Sequence, residues 1–358
     1  MAFFGLFGYK SKSVLGVDIG SSSLKVVQLK KQSGKAVLET YGELALGPYA
    51  GLEVGQATNL PADKIAETLR DLLREAKVTT KECGVGIPLA RSLLTSVELP
   101  HRENREEQKT VIELEARKYI PVPINEVQLD WFIVPEDDPA GAPKGKVRVL
   151  LVAVHNYELT LLSSVMKGAG LDASFYELEI FSTIRAVVDE PVKPVMILDI
   201  GAATTKVYIV EHGIVAFSHT ITTGGQDATR AIAVGGNVTI ATAEALKKKK
   251  GFSAAPAVAD PRPQLELSYS RIFAEAERVL KQYESLHQKA IATVILTGGG
   301  AVTRDLARYA QTVFPVEVRI ANPFAKTEAP AFIRPVLEEI GPEFAVAVGI
   351  ALRKLEDA

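Results

Sequence analysis

VLGVDIGSSSLKVVQLK, residues 14–30, is an apolar run that breaks at Asp18-Ile19-Gly20, passes Ser21, Ser22 and Ser23, and resumes through Lys25 as alternating apolar and polar residues. Asp and Gly suit tight turns, so a single copy reads equally well as an ordinary β-hairpin. The stretch has a twin: VMILDIGAATTKVYIV, residues 195–210, repeats the order of strand, Asp-Ile-Gly, small polar residues, lysine and strand. Asp18 to Lys25 and Asp199 to Lys206 are both seven residues apart. Two copies, one opening each half of the chain, predict a duplicated domain facing its twin. Gly20 and Gly201 let backbone N–H groups approach phosphate oxygens. The hydroxyls of Ser21, Ser22, Ser23 and Thr204 add donors, with Ala202 between, and Asp18 and Asp199 can hold Mg²⁺ through water. The two turns are expected to grip a triphosphate from opposite sides.

A third element follows in the second half. VILTGGGAVTRDL, residues 294–306, is a buried strand running into Gly298, Gly299 and Gly300, then a helix start carrying Thr303. Triple glycine permits close backbone approach to a flat or anionic ligand, and a helix start offers free N–H groups. Alone it carries little weight; as the third member of an ordered set it carries much. Neither a GxxxxGK[ST] loop nor a GxGxxG after the first strand occurs.

At 358 residues, 47% hydrophobic and 23% charged, the chain is globular and long enough for two or three domains. No apolar stretch reaches the roughly 18 residues of a membrane span, and no cleavable leader is visible, so a cytoplasmic protein is expected. Cys83 is the single cysteine and the five histidines show no ligand spacing, which excludes an internal disulfide and zinc chemistry. A net charge of -2 gives no reason to bind nucleic acid, and Lys247 to Lys250 reads as a solvated helix end. Residues 1–12 place Phe3, Phe4, Leu6 and Phe7 ahead of Lys10 and Lys12. They are either a weak membrane-surface anchor or a tail that packs on the body or frays.

Apolar runs alternate with helical periods, the pattern of an α/β protein. Strands are expected at 14–18, 23–29 and 36–46, and a helix over 62–77 with Ile65, Leu69, Leu72, Leu73 and Ala76 on one face. Residues 83–168 read as a distinct insertion, with strands near 83–87, 92–98, 127–134 and 146–154 and helices near 103–119 and 157–168. Pro121 and Pro123 stop the first of these helices, and 135–146 is an exposed loop by composition. The second half carries strands at 195–199, 205–210, 214–219 and 292–297. It also has a Pro/Ala-rich loop at 251–264, a long helix burying Ile272, Ala276, Val279, Leu280 and Tyr283, and a final helix at 342–355 that completes this half.

The three motifs, in this order, resemble those of the actin-like ATPase superfamily, which includes actin, heat-shock chaperone ATPases, sugar kinases and the division protein FtsA. Residues 15–29 are similar to its first phosphate motif, 196–210 to its second and 294–306 to its adenosine motif. The resemblance implies a two-lobed fold of duplicated RNase H-like domains, ATP and Mg²⁺ as cofactors, Lys25 on phosphate and Asp199 in the metal's shell. TTGGQDATRAIA, residues 222–233, is similar to a segment in which a Gly-Gly pair, here Gly224 and Gly225, opens a helix near the nucleotide, with Thr229 one turn in. Glu244 and Lys247 hold the places of a pair lying by ribose and adenine; from their spacing alone they are a surface helix pair. Glu179 matches a glutamate of the first connecting helix, YELEIFSTIRAV at 176–187, implying a water-positioning role in ATP hydrolysis, against the alternatives of a cap or a salt bridge.

The position of the insertion resembles the 1C subdomain of FtsA. IPLARSLLTSVELP (87–100) and EEQKTVIELEARKYIPVPINEVQLDWFIV (106–134) are similar to the type IV pilus assembly PilM family, shorter relatives of FtsA; Glu115, Ala116, Tyr119, Ile120, Pro121 and Asp130 carry the likeness. It implies an N-terminal segment 1–12, lobe I (1A) at 13–85 and 167–193, subdomain 1C at 86–166, and lobe II (2A and 2B) at 194–358. It further implies a cytoplasmic component of the pilus inner-membrane platform, peripheral to that membrane and reaching it mainly through partners. ATP, the cytoplasmic N-terminal peptide of PilN in a 1A/1C groove, other platform proteins and self-association are the expected contacts. Leu93, Val97, Ile112 and Tyr119 suit such a groove, or equally the insertion's own core. The alternatives are an FtsA- or actin-like membrane-associated filament-forming ATPase and a sugar or acetate kinase. A heat-shock chaperone is disfavoured because the chain ends soon after the second half closes.

Overall fold

The computed structural model describes residues 13–135, 145–189, 193–253 and 260–356. The N-terminal segment 1–12, residues 136–144 of the first composition-predicted loop and residues 254–259 of the second lie outside the described residues.

Lobe I begins with β1 (Ser13–Ile19), β2 (Ser23–Gln32) and β3 (Lys35–Ala45), an antiparallel meander followed by α1 (Ala62–Glu75) and β4 (Glu82–Ile87), which runs parallel to β1. The insertion then contributes β5 (Ser92–Pro100), α2 (Arg105–Ala116), β6 (Val127–Ile133) and β7 (Lys146–His155), forming a three-stranded sheet in the order β5-β7-β6. It has its own core of Val97, Leu99, Ile112, Ala116, Ile120, Val149, Leu151 and Ala153. The chain returns through α3 (Asn156–Ala169), β8 (Asp172–Leu178) and α4 (Glu179–Val187), and the lobe I sheet reads β3-β2-β1-β4-β8.

Lobe II repeats the scheme with β9 (Val195–Ile200), β10 (Thr205–Glu211) and β11 (Ile214–Ile221). The helices α5 (Gly225–Gly236), α6 (Ile240–Lys249) and α7 (Arg262–His287) follow, then β12 (Thr293–Thr297), α8 (Leu306–Ala310) and β13 (Glu317–Ile320). Its sheet, β11-β10-β9-β12-β13, has the same order and sense as that of lobe I. β9 is buried along its whole length, as expected of a central strand covered on both faces. The chain ends with α9 (Arg334–Ile340) and α10 (Ala345–Glu356).

Three expectations are corrected. β4 pairs with β1, and α3 buries Leu162, Val165 and Met166 in the lobe I core, so the first strand and last helix expected in the insertion belong to lobe I. The helical reading of 176–187 holds only from Glu179, because Tyr176 to Leu178 complete β8 against β4. The final helix does not close the second half: α10 packs Ala347, Val348 and Ala351 into the lobe I core. Periodicity reveals a buried face and is silent on which lobe receives it. α10 crosses α4 at Gly349, where a Cβ would lie 1.9 Å from the Ser182 carbonyl oxygen, and Arg353 pairs at 2.7 Å with Glu177, which also holds Arg185 and Ser182.

Candidate functional site

The antiparallel register explains the seven-residue spacing. Asp18 is the cross-strand partner of Lys25, and Asp199 that of Lys206, so in each lobe an acid and a base stand side by side behind one tight turn. Each turn is closed by the same bond: the Gly20 N–H donates to the Ser23 carbonyl at 3.1 Å and the Gly201 N–H to the Thr204 carbonyl at 2.9 Å. Both turns open into one cavity of about 560 Å³ between the lobes.

The twins differ in how their lysines are held. Lys25 Nζ donates to Ser23 Oγ at 2.6 Å and pairs with Glu43 of β3 at 3.1 Å. Lys206 Nζ lies 3.0 Å from Glu179 Oε1 and 3.6 Å from Asp199 Oδ2. Burial alone would discharge both lysines, yet their carboxylate neighbours, Glu43 for one and Glu179 for the other, hold each above its ordinary pKa. Asp18 is the converse case: desolvation pushes its carboxyl up to about 6, against the opposing charge of Lys25.

The glycine triplet supplies the adjoining wall. Gly298 has φ +82°, and a Cβ there would stand 2.4 Å from Asp199 Oδ1, so only glycine brings this backbone against the aspartate. Gly300 N–H anchors the turn to the Ile200 carbonyl at 2.7 Å. The start of α5 docks on the second turn, Gly225 N–H donating to the Gly201 carbonyl at 2.8 Å and Gln226 N–H to that of Ala202 at 3.0 Å.

Glu244 and Lys247 form an interior network. Lys247 is 3% exposed, and its Nζ donates to Glu244 Oε2, Thr229 Oγ1 and the Gly225 carbonyl at 2.6, 2.8 and 3.1 Å. Thr229 Oγ1 also donates to Glu244 Oε2 at 2.6 Å. The reading of Lys247–Lys250 as a solvated end is therefore corrected for its first two members, since Lys248 pairs with buried Glu343 at 3.2 Å. Burial drives Lys247 below its usual pKa, while Glu343 is raised by desolvation and by Glu43.

A strap between β3 and α1 crosses from lobe I to lobe II. Glu53 Oε2 accepts from Ala241 N–H at 2.8 Å, in the first turn of α6, Gln226 Oε1 accepts from Ala57 N–H at 3.2 Å, and Val54 and Gly55 line the cavity.

Asp18, Gly20, Ser21, Ser22, Ser23, Lys25, Glu179, Asp199, Gly201, Ala202, Thr204, Gly225, Glu244, Lys247 and the three glycines all line the cavity. Gly224 and Thr303 stand outside that lining: Gly224 caps α5, and Thr303 Oγ1 shares a hydrogen bond with Tyr269 at 2.7 Å. Sequence reasoning passed over Glu43, Lys206, Thr183, Lys248 and Glu343, which also line it. Lys206 alone had a signal, as the twin of Lys25. Thr183 lies one turn after Glu179, and its buried Oγ1 has no hydrogen-bond partner among the described residues. Among the described residues no group of three or more His, Cys, Asp or Glu stands ready for a metal, and no helix is long and apolar enough to cross a membrane.

In the insertion, Val97 and Ile112 are buried in its core, the role that the sequence left open for them, and Leu93 packs partly buried against it. Tyr119 is exposed.

A family model described as type IV pilus assembly protein PilM matches residues 16–355. The cell division protein FtsA of Pseudomonas aeruginosa is 24% identical over 96% of this chain and 90% of its own, and FtsA of Bacillus subtilis 24% identical over 86% and 78%. Among solved structures, the PilM-PilN type IV pilus biogenesis complex aligns with TM-score 0.79 and 26% identity, covering 96% of this chain and 98% of the other. MreB 5 of Spiroplasma citri bound to AMPPNP aligns with TM-score 0.53 and 15% identity over 97% and 98%, a likeness of fold. The expected two-lobed actin-like architecture is thereby borne out.

Proposed function

The chain belongs to the PilM family of type IV pilus assembly proteins, and from that premise we propose that it is a nucleotide-dependent adaptor of the pilus platform. ATP occupies the interlobe cavity. The adaptor works at the cytoplasmic face, peripheral to the inner membrane, and binds the cytoplasmic N-terminal peptide of a PilN-type partner between 1A and 1C. The observation that carries the reading is the pair of matched turns, each with a lysine held by a neighbouring carboxylate, opening into one cavity.

The turn amides and Ser21 to Ser23 would take phosphate oxygens, and Lys25 and Lys206 would neutralise their charge. Adenine and ribose would lie toward Glu244 and Lys247. Asp18 and Asp199 fit Mg²⁺, which takes one or two carboxylates plus phosphate oxygens and keeps several waters; bound there, it would screen charge between the phosphates. Glu179 Oε1 is already engaged by Lys206 and by the Leu89 N–H, which supports a site for occupancy more than for rapid turnover. The partner assignment draws on the solved PilM-PilN complex, and an extended peptide in a groove uses backbone bonds and apolar pockets.

Titration calorimetry with ATP and Mg²⁺, repeated with a synthetic PilN N-terminal peptide, tests this reading. Linkage requires that ATP and peptide change each other's affinity by the same factor. Absence of ATP binding overturns the cleft assignment; equal peptide affinity with and without ATP overturns the coupling.

A further inference from the structure

Glu179 touches two things at once. Its Oε1 is 3.0 Å from Lys206 Nζ, on the cavity wall, and accepts the Leu89 N–H at 2.8 Å. Leu89 stands at the root of the insertion, in the turn that runs from Pro88 to Arg91 and leads directly into β5. The turn is itself tight: Ser92 Oγ donates to the Leu89 carbonyl at 3.0 Å, and Arg91 pairs with Glu158 of α3 at 2.9 Å. β5 also packs beside β11 of lobe II, whose Thr220 is the register partner of Lys206. A single carboxylate oxygen therefore connects the phosphate end of the cleft to the entry strand of the insertion.

Resting on the nucleotide reading above, we propose that Glu179 is a positioning residue that reports cleft occupancy to the insertion through the Leu89 N–H. A phosphate group arriving beside Lys206 competes with Glu179 for the ammonium. As Lys206 turns toward phosphate, the buried carboxylate loses its cation and leans on its remaining donor, because a hydrogen bond to an uncompensated charge in a dry site strengthens. The Leu89 bond tightens, and the turn that carries β5 is held more firmly. No part of this needs hydrolysis; occupancy suffices, and the insertion face presented to a partner changes with it.

The test is amide hydrogen exchange on the full chain, with and without ATP and Mg²⁺, at nucleotide concentrations that calorimetry shows to be saturating. In the wild type, ATP is expected to slow exchange over residues 89–100 at least threefold. Leu89→Pro removes the donor outside the cavity lining; it is expected to bind ATP as the wild type does and to lose that slowing. Glu179→Gln keeps an acceptor for Leu89 but drops the charge; it is expected to exchange like the wild type without nucleotide and to respond less than 1.5-fold to ATP. The proposal is overturned if the wild type binds ATP with no change over 89–100, or if either variant keeps the full response. Failure of the wild type to bind ATP at all would overturn the cleft reading and this proposal together.

Discussion

At the scale of single residues, Asp18 carries the sharpest consequence. Its carboxyl is raised from the ordinary 3.8 to about 6 by desolvation, so the folded protein holds this proton more tightly than the unfolded chain. The stability this confers is complete below about pH 4 and is lost as pH rises through about 6. Asp18→Asn should accordingly make the nucleotide-free protein about 1–3 kcal/mol more stable at pH 7.5 and nearly neutral at pH 4, read by urea denaturation at both values. Binding has the opposite sign: Mg²⁺ needs the ionised carboxylate, so affinity for ATP with Mg²⁺ should weaken as pH falls below about 6 in the wild type and be poor at every pH in Asp18→Asn. Lys25→Ala should cost about 1.5–3 kcal/mol of ATP binding through a lost charge-assisted contact, measured by calorimetry. Unchanged ATP affinity in that variant would remove Lys25 from the phosphate site. Asp18 and Lys25 were legible because residues four positions out on each side of a tight turn face each other. Glu43 and Glu343 were not, since nothing in their local sequence says that they close on the same lysines.

At the scale of elements, the crossing of α4 and α10 closes the core of lobe I. A methyl at Gly349 would collide with the Ser182 backbone, and backbone cannot swing aside as a side chain can. Gly349→Ala should therefore destabilise the fold by about 2–3 kcal/mol despite alanine's higher helix propensity, visible as a lowered denaturation midpoint. A gain in stability would show that the helices can separate freely. Most strand and helix positions followed from hydrophobic period, although β13 and α9 had no expectation in the sequence. The failures were β8, where seven residues run straight into a helix with no breaker between, and α10, whose apolar face fits either lobe.

At the scale of the whole molecule, the strap over residues 46–61 crosses from lobe I to lobe II beside the cleft. Glu53 caps α6 from across the gap, and its exposure limits its worth to stability to under about 1 kcal/mol. Glu53→Ala should leave the denaturation midpoint within error while releasing nucleotide faster, at least twofold in a stopped-flow displacement assay with a fluorescent ATP analogue; an unchanged release rate would show that the strap does not gate the cleft. The duplication, the paired turns and the identity of the central strands could be read from the chain alone, because those rest on backbone geometry and on periods of two and 3.6 residues that are local. It took the packed fold to show that Lys247 is buried, that Lys206 is held by Glu179, that α10 returns to lobe I, and that one carboxylate joins the cleft to the insertion. These contacts link residues that lie tens to hundreds of positions apart or depend on what packs over them, and a local pattern carries no information about which distant surface will arrive.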